Sequence, residues 1–416
     1  MNRLTIINAR VVDKPGLHTL HIEGEHFVAR HSHSMTETET LDFHGALVLP
    51  GLLETHIHLD KACIIDRCCQ QTGTLAEAIS ETARAKAHFT EQDVYQRGAR
   101  VLEQAIVQGT TRMRTHIEID PVIGLTGFRA IRRLQADYAW AVDLQLCVFP
   151  QEGLLNNPGT EALLCEALAQ GADLLGGCPY TDSDPHGQIQ RLFALAQQYN
   201  VDLDFHLDFD LLPENRLIET VIAETRRHQW GGRVTVGHVT KLSLLDREAL
   251  HALGAQLAAA GVQVTALPAT DLFLTARDRF ALQPRGVAPI DELARCGVTC
   301  SLSTNNIANP FTPFGDASLV RQANLFANVR QLGTADDLLR CLSWISSQSA
   351  VLLRLTDYGL TPGCLADMTV FDVQRGEQIV AQIAPPIRGF KRGRQTFFRP
   401  QATLFPATLN KDVITQ

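Results

Sequence analysis

Two of the chain's fifteen histidines, His56 and His58, stand in a spacing that can build a metal centre. They lie in the stretch Leu49-Pro50-Gly51-Leu52-Leu53-Glu54-Thr55-His56-Ile57-His58-Leu59-Asp60, behind the apolar run Ala46-Leu47-Val48-Leu49, which reads as a buried strand. Residues two apart in a strand share a face, so the two imidazoles can sit side by side and bind one cation. Such a cation lowers the pKa of bound water, so that hydroxide exists near neutral pH. Later apolar runs also end in histidine, at His116, His206 and His238. Four imidazoles, His56, His58, His206 and His238, could converge on a single divalent ion. His31 and His33 repeat the spacing but lack an apolar run before them, and the polar stretch 30–40 reads as a surface loop.

Such a site needs strands that end together. Apolar, β-rich runs occur at 46–58, 110–119, 144–150, 174–179, 201–208, 233–239, 262–269 and 298–305. Helical patterns separate most of them, at 75–87, 91–108, 127–136, 159–169, 189–199, 215–228, 246–260 and 290–296. Eight strands alternating with helices predict a (β/α)8 TIM-type barrel of the α/β class, with functional groups at the C-terminal mouth. A doubly wound open sheet is the alternative, but no glycine-rich nucleotide-binding fingerprint follows an early strand. Residues 1–48 read as short strands with turns at Pro15-Gly16 and Glu23-Gly24, and a last helical region spans 335–353. Residues 363–372 open another strand. The expected division is a small β-sandwich domain from 1–48 and 363–416, with the barrel at 49–362.

The bulk composition excludes several classes. Hydrophobic content of 45% and charged content of 20% are those of a globular protein. A net charge of −8 argues against nucleic acid or an acidic membrane as partner. No apolar stretch reaches the length of a membrane span, and no signal-peptide pattern opens the chain. The ten cysteines lack zinc-ribbon spacing and read as reduced thiols of a cytoplasmic protein.

The chain resembles the amidohydrolase superfamily, in the branch of cytosine deaminase and N-isopropylammelide-type aminohydrolases. The residues that carry the likeness are Leu49-Pro50-Gly51 with Thr55-His56-Ile57-His58, Arg114-Thr115-His116, Phe149-Pro150-Gln151-Glu152-Gly153, Gly171-Ala172-Asp173 and the stretch 363–372. The resemblance implies one catalytic divalent metal, zinc or iron, on His56, His58, His206 and His238. It implies that Gln151 hydrogen-bonds a heterocyclic substrate, that Lys61 acts on substrate polarity and that Phe311 flanks the ring; Asn306, at the end of strand 8, is a further expected substrate contact. Strand 4 ends in Cys178-Pro179 without a lysine, so a mononuclear site is expected.

Two positions depart from the family. Its deaminases carry a glutamate where this chain has Phe209, and a metal-binding aspartate where it has Asn305. Asparagine can offer a carbonyl oxygen to a metal but cannot serve as a base. Asp208, on the His206 side of its strand, is the expected proton carrier, ahead of Asp210, and Asp271 and Asp316 are mouth-side carboxylates by position. The expected function is metal-dependent hydrolysis of a C–N bond in a small pyrimidine-, triazine- or pterin-like ring, with His238, Asn305 and Asp208 catalytic. The competing expectation is a catalytically impaired small-molecule binder. Relatives form homo-oligomers, but no motif shows an interface here.

Overall fold

A computed structural model describes residues 3–12, 14–31 and 38–405. Eight parallel strands follow one another in chain order: β1 (Leu52–Ile57), β2 (Thr110–Glu118), β3 (Asp143–Phe149), β4 (Leu174–Gly177), β5 (Asp202–Leu207), β6 (Val234–His238), β7 (Val262–Ala266) and β8 (Cys300–Leu302). Helices cover the outside, and the expected barrel is present. β8 returns to β1 at the mouth, where Asn305 N donates to His56 O and His58 N donates to Asn305 O, both at 2.9 Å. Lower down, Thr55 N donates to Ser303 Oγ at 3.0 Å. The bonds that close the barrel therefore hold three expected site residues together.

The structure redraws some boundaries. The apolar run entering the histidines is not one strand. Leu47–Pro50 pairs with Met368–Phe371 in a second sheet, and the chain changes sheets at Gly51. A Cβ at Gly51 would lie 2.1 Å from Thr111 Oγ1, so only glycine fits the crossing. The run at 262–269 is strand only to Ala266. Pro268 then opens a short helix, Pro268–Leu274, because a residue without an N–H suits a first helical turn. The region 335–353 divides into helices Ala335–Ser343 and Ser347–Leu352. A further helix, Leu319–Arg330, begins at Ser318, whose Oγ accepts from Arg321 N at 3.2 Å.

The second sheet is built from both ends of the chain and is mostly antiparallel. Among the described residues it contains eight strands, including Arg3–Val11, Lys14–Glu23 and Pro386–Lys391. Pro15-Gly16 lie within the strand Lys14–Glu23 instead of forming the expected turn, which falls at Val12. Lys391 anchors this sheet to the barrel, its buried ammonium lying 2.7 Å from both Asp143 and Asp367. His31 is half-buried and its Nε2 lies 2.8 Å from Thr5 Oγ1; His33 lies outside the described residues. All ten cysteines are free thiols. Among the described residues no helix is long and apolar enough to cross a membrane.

Candidate active site

The barrel lumen is polar where many such barrels are filled with aliphatic layers. Along β5, Leu203, Phe205 and Leu207 pack outward into the helical core, and Asp204 and His206 turn inward. The period of two does the same along β2 for Arg114, His116 and Glu118. Arg114 Nη1 reaches across to Asp204 Oδ2 at 2.7 Å.

His56 and His58 both aim at His206. Their Nε2 atoms lie 3.2 and 3.0 Å from His206 Nε2. Donor nitrogens of His56, His206 and His238 also lie within 4.8 Å of one another. One ring proton can serve only one of the two short contacts at His206, so a second pair of ring nitrogens would face each other with nothing between. A cation with ligands at ~2.1 Å would place adjacent donors ~3.0–3.4 Å apart and remove the conflict. Burial holds His56 down at about 3, and His58 and His206 well below their usual value, so these rings are neutral with lone pairs free. Asn305 Oδ1 is buried without a hydrogen-bond partner among the described residues. The donor set fits a divalent metal.

His238 differs from the other three. Its Nδ1 lies 2.7 Å from Asp271 Oδ1, and its Nε2 lies 3.5 Å from the Asn305 amide nitrogen. With the Nδ1 proton given to Asp271, Nε2 presents a lone pair to the site. His238 and Asn305 both sit at positive φ, +69° and +65°, in sparsely populated backbone where the strands leave the sheet. A side chain at neighbouring Gly237 would press on the His56 ring at 3.3 Å. Phe209 stacks on His238 with ring centroids 4.0 Å apart, so an aromatic wall stands at the position where the family resemblance implied a glutamate.

A second group of residues adjoins the histidines through Phe149, which stacks on His206 at 4.6 Å. Lys61 Nζ lies 5.6 Å from the Phe149 ring and 4.4 Å from the Phe311 ring. It also donates to Glu118 Oε1 at 2.7 Å and to Gln151 Oε1 at 3.1 Å. Asn306 is buried nearby, its Oδ1 accepting from Asn309 at 2.8 Å. The structure thus gathers Lys61, Gln151 and Phe311 beside the histidines.

Other candidates are engaged elsewhere. The Asp208 carboxylate accepts from Leu217 N at 2.9 Å and Ile218 N at 3.1 Å, where it anchors the start of the helix Ile218–His228. Burial raises it to about 6 despite those bonds. Asp210 pairs with Lys241 at 3.2 Å, and Asp316 pairs with Arg321 at the surface. His116 stacks beneath His56 at 3.8 Å.

The comparisons with known proteins match this geometry. The sequence profile of the amidohydrolase family matches residues 72–396. The chain belongs to the amidohydrolase family. It is 24% identical to the N-isopropylammelide isopropyl amidohydrolase of Pseudomonas sp. (strain ADP), over 94% of this chain and 96% of that one. It is 26% identical to the pterin deaminase of Rhizobium rhizogenes, over 83% of this chain and 79% of that one. The crystal structure of 5-methylcytosine deaminase from Klebsiella pneumoniae, liganded with 5-fluorocytosine, superimposes with a TM-score of 0.91 at 27% identity. That match covers 97% of this chain and 99% of that one. The expected deaminase-like branch of the superfamily is therefore correct.

Sequence reasoning missed Asp204 and the role of Asp271 in this amidohydrolase. Asp204 carried a signal in its spacing, two residues before His206 on the same face. It is held well below the usual range: burial opposes this, but His116, His56 and Arg114 outweigh it. Its Oδ1 lies 3.8 Å from His56 Nδ1, on the side of the ring away from the site.

Glu54 was also overlooked. Its Oε1 accepts from Thr304 N at 3.1 Å and His56 N at 3.3 Å inside the lumen, and burial pushes it up to about 7. A carboxyl that holds its proton more tightly when folded costs stability as pH rises from its unfolded value to about 7. Glu54→Gln keeps the accepting oxygen and removes that cost. In urea unfolding of metal-free protein, the variant should nearly match the parent at about pH 4 and exceed it at about pH 8 by up to about 3 kcal/mol. An equal difference at both pH values would contradict this assignment.

Proposed function

We propose that this amidohydrolase hydrolyses a C–N bond of a small N-heterocycle, removing an amino or alkylamino group or opening a ring amide. The carrying observation is that Lys61, Gln151 and Phe311 stand together beside the four-histidine cluster. Relatives that act on an ammelide, a pterin and a methylated cytosine support a ring of that size.

His56, His58 and His206, with the unpartnered Asn305 Oδ1, would hold one divalent ion, zinc or iron, and the fourth imidazole, His238, is kept for proton transfer beside it. Bound there, such an ion supplies a hydroxide nucleophile at neutral pH. The protein's own residues do the rest. Lys61 donates to Gln151 Oε1, and the Gln151 amide nitrogen gives one hydrogen to Cys178 Sγ at 3.3 Å, so its second hydrogen is left for the substrate while Lys61 adds a positive charge. The pair offers donors, which suits a ring that presents a carbonyl oxygen or bare ring nitrogen. Phe311 gives an apolar face to the ring plane. His238, polarised by Asp271, takes and returns the proton at Nε2. Asp208, with its carboxylate spent on backbone N–H groups, serves as the anchor of its loop. A cleft of about 440 Å³ opens over Phe209 between Leu75, Leu212 and Leu274, and offers a way in. The reading of an impaired binder gains nothing from these relatives, which are named as enzymes.

The test is release of ammonia or amine by protein loaded separately with Zn²⁺, Fe²⁺ and Mn²⁺, over cytosines, pterins, triazines, hydantoins and cyclic ureas. Metal-dependent release from one class supports the proposal. Silence across the panel with metal bound defeats the deaminase form of it.

Asn305→Asp probes the departure from related enzymes. A carboxylate there would face His238 Nε2 across 3.5 Å while Asp271 holds the other nitrogen. Two carboxylates on one imidazole favour its protonated form and remove the acceptor. The expected outcome is a ~10–100-fold loss in kcat with metal retained, and an acid limb of the pH–rate profile moved to higher pH. An undiminished kcat would show that Asn305 has no part in tuning His238.

A further inference from the structure

The helix Leu75–Lys86 lies over the mouth. Its positions Leu75, Ala78 and Ile79 pack with Phe209, Leu274 and Phe311. Its last residue, Lys86, is buried at 3% side-chain exposure. The ammonium lies 2.8 Å from Glu118 Oε2 and 2.6 Å from Asp120 Oδ2, and it also contacts Glu152. These three carboxylates could otherwise gather around a divalent cation, and the ammonium takes that place.

The other oxygen of Glu118 holds Lys61 at 2.7 Å, and Lys61 in turn reaches Gln151. A continuous ladder, Lys86–Glu118–Lys61–Gln151, therefore runs from the mouth helix to the substrate-facing amide. Each rung is charge-assisted and buried, which gives it a defined geometry. Without Lys86, Glu118 would face Asp120 and Glu152 uncompensated, and Lys61 would be drawn toward all three.

We propose that Lys86 is a positioning residue for substrate: through Glu118 it sets Lys61 and Gln151, and so makes the mouth helix part of the ring-recognition site. This rests on the heterocycle reading above. Lys86 touches neither the histidines nor Asn305 in any hydrogen bond or ion pair, so metal binding does not depend on it.

The experiment compares metal-loaded, full-length parent with Lys86→Met and Lys86→Arg. The first readout is reductive methylation of Lys61, followed by peptide mass spectrometry, which needs no substrate. The second is KM against kcat for whichever heterocycle the parent turns over. Lys86→Met should speed Lys61 methylation several-fold and raise KM about tenfold or more, as loss of a charged hydrogen bond does. Metal content should stay at the parent value and kcat should change little, with Lys86→Arg restoring part of both effects. If Lys86→Met does not fold, Glu118→Gln breaks the ladder at its middle with an isostere and is expected to show the same two changes. Unchanged Lys61 methylation in a folded variant overturns the ladder, and a faster methylation with parental KM overturns its role in recognition. A parent that turns over no heterocycle defeats the functional reading separately, and Lys61 methylation still decides the ladder.

Discussion

Replacement of His206 by alanine should empty the metal site and reduce hydrolysis to background. His206 Nε2 is the shared neighbour of His56 and His58, at 3.2 and 3.0 Å. Its loss leaves His56 at the end of β1 and His58 just beyond it, and breaks the ring of nitrogens at its middle. A site with two imidazoles and an amide oxygen lacks the three or four firm ligands that a catalytic zinc needs. The measurement is metal content after dialysis, by inductively coupled plasma mass spectrometry, with circular dichroism to check the fold. The parent should retain one equivalent and the variant close to none. A variant that keeps full stoichiometry would place the metal elsewhere and end its assignment to His56, His58 and His206. Because burial keeps these rings neutral far below pH 7, the parent's metal should also survive mild acid. Release that begins just below pH 7 would contradict the lowered values.

Asp271→Asn should cost ~10²–10⁴ in kcat while leaving metal content and KM near the parent. Asp271 is fully buried and its Oδ1 lies 2.7 Å from His238 Nδ1. Burial pushes this carboxyl upward, and His238 opposite pulls it back. The charge matters when His238 takes a proton, because the imidazolium then faces a carboxylate in a low-dielectric site. An asparagine can still accept the Nδ1 proton, but it offers no charge to balance the cation. The split between kcat and KM decides the case. A purely structural role would move thermal stability and metal content together, whereas the proposed role moves kcat alone. Equal kcat in parent and variant would remove His238 from proton transfer.

Phe209 and Asn305 acquire a common sense in this picture. Phe209 stacks on one side of His238, and the Asn305 amide faces its Nε2. Neither can carry a proton, so the proposed mechanism gives proton transfer to His238, with Asp271 behind it. The expectation that Asp208 carries it came from strand periodicity, which placed it on the His206 face. At Asp208 the backbone has already turned to φ +49°, and the carboxylate meets the N–H groups of Leu217 and Ile218. Periodicity holds only while the strand does.

Much of this molecule was legible in its local patterns. Strand and helix alternation showed the barrel, because a period of two or of 3.6 residues reports which face is buried. The same period marked His56, His58 and His206 as inward at strand ends, and Gln151 stands just past the end of β3. What faces them across the lumen was not legible. Asp204 meets Arg114 from ninety residues away, and Thr55 meets Ser303 from 248 away. Those pairings depend on strand stagger and on how β8 closes on β1, which no local period encodes. Asp271 was placed at the mouth by position, but its role was hidden because its segment reads as the tail of an apolar strand; only the turn at Pro268 makes it a helix and aims the carboxylate at His238. Lys86 was hidden for the complementary reason: at the end of an amphipathic helix a lysine reads as solvated, and packing of the helix over the mouth buries it among three carboxylates. The sequence by itself determined which elements form and which faces they bury, since those follow from short-range sterics and hydrophobicity. Tertiary structure alone decided which charges meet, since that depends on distances between elements far apart in the chain.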